Sequence, residues 1–213
     1  EFTLNYSHAS GLKQYAVGDT NTASTLFETK YITKNKGVWS LNEGADYYHD
    51  FIFEVNKKIS KKVKGTAMYS YQFNNINVVQ HGFPSGPYKN VYSHIGILDL
   101  TYKYRTGAAL RMEAQCMLRN NKDTLNLGSW GMGLIEWTTR AHIFVAAIDQ
   151  YNYGNPVASL RLHYLYFTAG YTSGPHRIAI SYGKQRQGIF CVGGVCRQVP
   201  ASNGIAISIT SSF

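Results

Sequence analysis

The chain has 213 residues, a formal net charge of +9 and an unusual 17 tyrosines beside 20 glycines and only 5 prolines. No apolar run approaches the ~18 residues that a transmembrane helix needs, so a helical membrane protein is excluded. Lysine and arginine are spread along the whole chain without a zinc-finger, RNP or helix-turn-helix pattern, so we expect no nucleic acid partner. Tyrosine favours strands and suits a membrane–water interface, which indicates a β-rich protein.

Period-two alternation of apolar and polar residues predicts strands along most of the chain and almost no helix. In one example, Leu110, Met112 and Ala114 alternate with Arg111 and Glu113. We predict strands near residues 47–59, 62–75, 91–105, 107–119, 124–138, 141–151, 157–172, 175–187 and 201–213. Two weaker strands are predicted near residues 2–9 and 23–32.

The connections between these strands alternate between long and short. Long or irregular loops are predicted near residues 32–46, 75–90, 119–124, 151–157 and 187–200. Tight turns are predicted near residues 57–62, 105–107, 138–140 and 173–175. Long strands with aromatic ends, short turns on one side and longer loops on the other are typical of outer-membrane barrels, whereas a soluble sandwich would bury its apolar face. The predicted fold class is therefore all-β, an antiparallel up-and-down transmembrane β-barrel with about 10–11 strands in this chain.

The strand number predicts that this barrel is incomplete. If Phe213 ends in the periplasm, eleven strands place Glu1 on the outer side. Single-chain bacterial barrels have even strand numbers and both ends in the periplasm. Either one N-terminal strand is a misread loop or upstream strands are missing, and the abrupt start in a strand favours the second. We expect residues 1–213 to be a single β-barrel domain, incomplete at its N-terminus and part of a larger barrel.

The last ten residues alternate isoleucine with small or polar residues and close on an aromatic side chain. The residues that form this pattern are Ile205, Ile207, Ile209 and Phe213. The segment resembles the C-terminal assembly signal of Gram-negative outer-membrane β-barrels. This resemblance implies recognition by the barrel-assembly machinery, contact with outer-membrane lipid and a location in the bacterial outer membrane.

A second resemblance covers roughly the last forty residues. The stretch from Ser181 to Arg186, which leads into Cys191–Arg197, is similar to the tail of an uncharacterised barrel family of Bacteroidota. Members of that family are longer than this chain, in agreement with the strand-number argument. The resemblance implies fold and location, and it brings no catalytic residue, cofactor or substrate.

Two of the three cysteines are predicted to form a disulfide. Cys191 and Cys196 flank Val-Gly-Gly-Val, whose glycines let the segment fold back on itself in an oxidising compartment. A zinc site would need more soft ligands nearby, and the sequence supplies none, so we expect no metal and no other cofactor. Cys116 lies in an alternating strand and is interpreted as a small apolar residue.

Charged residues recur on one side of the alternation and are candidates for lining the barrel lumen. They are Glu54, Asp99, Lys103, Arg111, Glu113, Arg161 and Arg177, with Asp149 as a further candidate. Such charges would form ion pairs inside a narrow barrel or line the pore of a wide one, and a binding site is a third possibility. The lysines of residues 57–64 bracket a short turn, either as a solvated hairpin tip or as a contact for anionic headgroups or an acidic periplasmic partner.

No enzyme is predicted. Barrel enzymes need a histidine that converges with an aspartate or serine, but His94 falls on the face opposite Asp99. His163 shares its predicted face with Arg161, where an uncharged lumenal histidine is the simpler interpretation. No GxSxG, HExxH or P-loop pattern is present. Two functions remain: a structural barrel that anchors other envelope proteins through its outer loops, the Cys191–Cys196 loop included, or a passive or selective pore for small solutes.

Overall fold

The structure is a computed structural model that describes residues 1–10, 46–75, 90–120 and 128–211. Its strands are β1 (Phe2–Ser10), β2 (Asp46–Lys58), β3 (Val63–Asn75), β4 (Asn90–Arg105), β5 (Ala108–Arg119), β6 (Trp130–Thr138), β7 (Ile143–Tyr151), β8 (His163–Ser173), β9 (His176–Gln185), β10 (Gly188–Val192), β11 (Val195–Val199) and β12 (Ser202–Thr210). A short 3-10 turn at Ala158–Leu160 precedes β8. Within the described ranges, no helix is long and apolar enough to cross a membrane.

Ten of these strands form one antiparallel sheet in the order β1-β2-β3-β4-β5-β6-β7-β8-β9-β12, and β10 and β11 form a separate hairpin. Neighbouring strands from β1 to β9 are consecutive among the described strands, which is the predicted up-and-down arrangement. The all-β antiparallel fold is therefore confirmed. Closure of the sheet into a barrel is not confirmed. In the described part of the chain, β1 pairs only with β2 and β12 pairs only with β9, so the sheet is open.

Most of the predicted strands coincide with the strands of the sheet. The strand predicted from residue 157 begins only at His163, because the 3-10 turn occupies part of its first half. The strand predicted near residues 23–32 lies outside the described residues. The loop predicted at residues 187–200 was wrong, since this segment contains the β10–β11 hairpin.

The sheet has a turn edge and a loop edge. At the turn edge, strands are joined by the short connections 59–62, 106–107, 139–142 and 174–175, close to the predicted tight turns. Longer connections join the strands at the opposite, loop edge, where residues 152–162 separate β7 from β8. The loop predicted at residues 151–157 falls in this described connection. Most of the residues of the loops predicted at 32–46, 75–90 and 119–124 lie outside the described residues.

The two faces of the sheet differ in polarity. On the apolar face, large hydrophobic side chains from β1 to β12 are exposed, and near the middle of their strands Leu98 is 61% and Ile180 is 54% accessible. The opposite, polar face carries small, hydroxyl-bearing and charged residues, with Ser70, Thr168 and Ser181 buried on it. An ordinary soluble sheet would show the reverse pattern, with its hydrophobic face covered.

The compact core of the protein lies on the polar face of β6–β9, beneath the β10–β11 hairpin. Its buried residues are Leu134, Phe144, Ala146, Ile148, Tyr166, Ala179 and Val192, with Met132 and Phe190 packed against them. All of these residues except Phe190 and Val192 belong to the sheet. The hairpin therefore covers hydrophobic positions that interrupt the otherwise polar surface.

A glycine in β9 is required where two strands approach closely. Gly183 has a φ of +132°, and a Cβ at this position would lie 2.2 Å from the carbonyl oxygen of Leu165. We expect Gly183→Ala to destabilise the fold by about 3 kcal/mol, because it combines backbone strain with separation of β8 and β9. Gly96→Ala is the matched control: no atom lies within 4 Å of its Cβ, so its effect should stay within about 0.5 kcal/mol. Urea unfolding followed by tryptophan fluorescence measures both, and equal stability would contradict the close approach.

Candidate functional site: the polar face and its hairpin

A partly buried ion network lies on the polar face of β4 and β5. Arg111 donates from Nε to Oδ2 of Asp99 at 2.6 Å and also forms an ion pair with Glu113. A third nitrogen of the same guanidinium, Nη1, donates to the carbonyl oxygen of Cys191 at 3.2 Å. Gln115 donates to the second carboxylate oxygen of Glu113. One arginine thus neutralises two carboxylates and contacts the hairpin.

Three further side chains of the sheet hold the hairpin. The carboxylate of Glu136, which is 5% exposed, accepts the backbone N–H of Gly193 at 2.9 Å. Arg177 donates from Nη2 to the carbonyl oxygen of Val192 at 3.2 Å, while its guanidinium carbon lies 4.5 Å from the centre of the Phe144 ring. A third bond has its donor on the hairpin: Arg197 donates to the hydroxyl of Ser208 in β12. The bonds from Glu136 and Arg177 satisfy backbone groups at the tip of the hairpin.

The structure brings most of the predicted charged residues to one face. The residues that lie on the polar face as predicted are Glu54, Asp99, Lys103, Arg111, Glu113 and Arg177. Arg161 was assigned wrongly, because it follows the 3-10 turn and donates to the carbonyl oxygen of Asn155 at 2.9 Å. Asp149 was also wrong: it pairs with Leu165 on the apolar face.

Sequence reasoning missed two charged residues of this site. Glu136 alternates with Ile135 and Trp137, so the period-two pattern could have identified it. Arg197 was missed because its segment was interpreted as a loop, where alternation assigns no face. Both contribute to the attachment between hairpin and sheet.

A positively charged depression of about 690 Å³ lies at the turn edge of the polar face. The lysines that line it are Lys57, Lys58, Lys61, Lys62, Lys64 and Lys103. Glu1 and Glu54 also line it, but within the described ranges none of these lysines lies at ion-pair distance from a carboxylate. The depression therefore has a surplus of positive charge, as the lysine-rich turn suggested.

The family model that matches this chain covers residues 1–213 and is described as a family of unknown function, DUF6029. The chain belongs to the DUF6029 family. No curated protein and no solved structure matches it significantly.

The apolar face of the DUF6029 chain carries aromatic and histidine side chains near both edges of the sheet. Stacked or tilted ring pairs near the loop edge are His8 with His49 at 4.4 Å, Phe73 with Tyr92 at 5.1 Å, and Tyr151 with His163 at 4.1 Å. Near the turn edge, Trp137 donates from Nε1 to the hydroxyl of Tyr104 at 2.7 Å. The histidine expected in the lumen, His163, is therefore on the apolar face, where its Nδ1 lies 2.7 Å from Asp149.

The connection between β7 and β8 is held by hydrogen bonds to Asn155 and displays apolar side chains. Asn155 is 1% exposed, its Oδ1 accepts the N–H of Val157 at 2.9 Å, and Arg161 donates to its carbonyl oxygen. The loop-edge patch, defined as Val157, Leu160 and Leu162, remains exposed by 36–49%. In the same connection, burial and a hydrogen bond to Cys116 raise the pKa of Tyr153.

The predicted disulfide is confirmed. Cys191 and Cys196 form a disulfide, and Cys116 is free and exposed. In the part of the chain that the structure describes, no group of three or more histidine, cysteine, aspartate or glutamate side chains could hold a metal ion.

The predicted assembly strand coincides with β12. Ile205, Ile207 and Ile209 lie on the apolar face and are exposed by 73%, 69% and 74%. Phe213 lies outside the described residues.

Proposed function

We propose that the chain forms the wall of a β-barrel in the bacterial outer membrane. The observation that carries this proposal is the exposed apolar face, which extends across all ten strands of the sheet. Soluble monomers rarely expose a contiguous apolar patch larger than a few hundred Å². Lipid is the medium that suits such a face, and aromatic residues at both edges suit the two membrane interfaces.

The polar face would then line the lumen. Its small and hydroxyl-bearing residues fit the inside of a barrel. The charges near its middle, Asp99, Arg111 and Glu113, are paired, and Glu136 and Arg177 are bound to the hairpin. An interior occupied in this way favours a structural barrel over a wide channel. The proposed role is therefore structural, as an anchoring component of an envelope complex, and it needs no catalytic residue or cofactor.

The anchor for a partner protein would be the loop-edge patch. Its three apolar side chains are exposed beyond the ends of β7 and β8, on a connection held by buried Asn155. The Cys191–Cys196 segment is a poorer anchor than the sequence suggested, because its strands pack on the polar face. Insertion would use the assembly machinery of outer-membrane barrels, with the exposed isoleucine row of β12 as the recognised strand.

Two measurements test this proposal. The protein should remain in the membrane fraction after extraction with salt and carbonate and should leave it only in detergent. In mild detergent, it should then sediment as a particle larger than one chain with its micelle. A triple variant of the patch, Val157→Ser, Leu160→Ser and Leu162→Ser, should stay in the membrane but sediment as the single chain. A folded wild type that is released by salt would contradict the barrel, and a wild type that sediments as one chain would contradict the anchoring role.

A further inference from the structure

The hairpin of β10 and β11, residues Gly188–Val199, extends along the polar face from one edge of the sheet towards the other. It starts directly after β9 reaches the loop edge at Gln185. Its tip lies close to Phe144, the second residue of β7, since a Cβ added at Gly193 would be 3.0 Å from the Phe144 ring. The adjacent Val192 accepts a hydrogen bond from Arg177, the second residue of β9. Both of those strands begin at the turn edge. The hairpin therefore spans most of the depth of the sheet.

The hairpin is amphipathic in a way that fits this position. In its register, Phe190 pairs with Arg197 and Val192 with Val195, which places these residues on the side of the hairpin that faces the sheet. Val192 and Val199 are each 7% exposed, and the Phe190 ring packs edge-on against Tyr166 at 6.1 Å. The side turned away from the sheet carries the Cys191–Cys196 disulfide and Ile189, which is 74% exposed.

Polar contacts fix the same orientation at several independent points. Arg111, Glu136 and Arg177 come from three different strands, and each bonds a backbone group of the hairpin between residues 191 and 193. An isolated two-stranded hairpin is marginally stable in water. The disulfide joins its two strands, and the three bonds from the sheet attach the hairpin to the polar face.

We propose that this hairpin is a plug that blocks the passage of small hydrated ions along the polar face. The proposal rests on the proposed function, since the polar face encloses a lumen only if the sheet belongs to a barrel. A barrel formed by these ten strands would have a narrow interior. A two-stranded element that occupies its depth and bonds to β5, β6 and β9 would remove the path for ions. The hairpin would then keep the lumen of such a barrel closed to ions.

Single-channel recording in planar bilayers tests the plug with potassium chloride as the permeant salt. In the plugless variant, residues 188–199 are replaced by Gly-Ser-Gly-Ser. This short link can close the gap, because Gln185 and Ser202 are paired neighbours at the ends of β9 and β12. The plugless variant should conduct at least ten times more than wild type. An inserted plugless variant that conducts no more than wild type would overturn the proposal.

Two point variants keep the hairpin and provide a matched comparison. Gly193 and Gly194 have φ values of +63° and +75°, so a side chain strains the turn similarly at either position. Only at Gly193 would the added Cβ meet the Phe144 ring, at 3.0 Å. Gly193→Leu should therefore displace the tip and raise conductance at least threefold, whereas Gly194→Leu should resemble wild type.

The outcomes separate the two proposals. Failure of wild type to insert into vesicles in a protease-resistant form would contradict the barrel itself, and with it the plug. If wild type inserts but the plugless variant does not, the comparison of Gly193→Leu with Gly194→Leu tests whether the hairpin blocks ions. Equal conductance of these two variants would overturn the plug proposal.

Discussion

Leu98→Arg should destabilise the membrane-inserted protein by about 2–4 kcal/mol, the cost of arginine on the lipid face of a barrel near the bilayer centre. Leu98 lies near the middle of β4, on the apolar face, and is 61% exposed. The adjacent residue, Ile97, lies on the polar face and pairs with Gln115. Ile97→Arg is therefore the matched control, with the same new charge one residue away, and should cost about 1 kcal/mol or less.

The two arginine variants distinguish a membrane protein from a soluble one, because the variant that loses more stability differs between the two cases. In water, an arginine at exposed Leu98 would be nearly neutral, and an arginine at half-buried Ile97 would be the damaging change. The measurement is urea unfolding of each variant from lipid vesicles, followed by tryptophan fluorescence. A larger loss for Ile97→Arg than for Leu98→Arg would contradict the assignment of the apolar face to lipid.

Strand positions and faces were largely predictable because the period-two pattern is local. Each strand from β2 to β5 alternates strictly enough for its polar side to be identified without knowing its neighbours. This is why Glu54, Asp99, Arg111 and Glu113 were correctly placed on one face. The pattern does not assign a face where a turn interrupts the strand. Arg161 was misplaced for that reason, because it follows the 3-10 turn.

The hairpin could not be predicted from the same pattern. The segment Ile189-Phe190-Cys191-Val192 is apolar on both sides, so alternation does not reveal which side is buried. Its docking depends on Glu136 and Arg177, which are distant in sequence and lie on different strands. Closure of the sheet is equally nonlocal, since it depends on which edges meet β1 and β12. Local patterns determine strands, while long-range pairing decides how they assemble.

Arg111→Met should strongly destabilise the protein. It removes the cation between Asp99 and Glu113 and also the donor to the carbonyl oxygen of Cys191. Breaking a buried ion pair from one side costs about 3–5 kcal/mol. The carboxylate side chains here are 22% and 10% exposed, so solvent screening reduces the expected loss to about 2–4 kcal/mol. Lys103→Met is the matched control, because Lys103 is exposed on the same face and should contribute less than about 0.5 kcal/mol.

A triple variant separates charge imbalance from lost packing. When Asp99→Asn and Glu113→Gln are added to Arg111→Met, no unpaired charge remains, and replacing a whole ion network by neutral groups is often nearly neutral. The triple variant should therefore recover most of the stability that Arg111→Met loses, as measured by urea unfolding in vesicles. A small remaining deficit would reflect the lost hydrogen bond to the hairpin at Cys191. If the triple variant is as unstable as Arg111→Met alone, the arginine acts by packing and hydrogen bonding, and neutralisation of the two carboxylates is not its role.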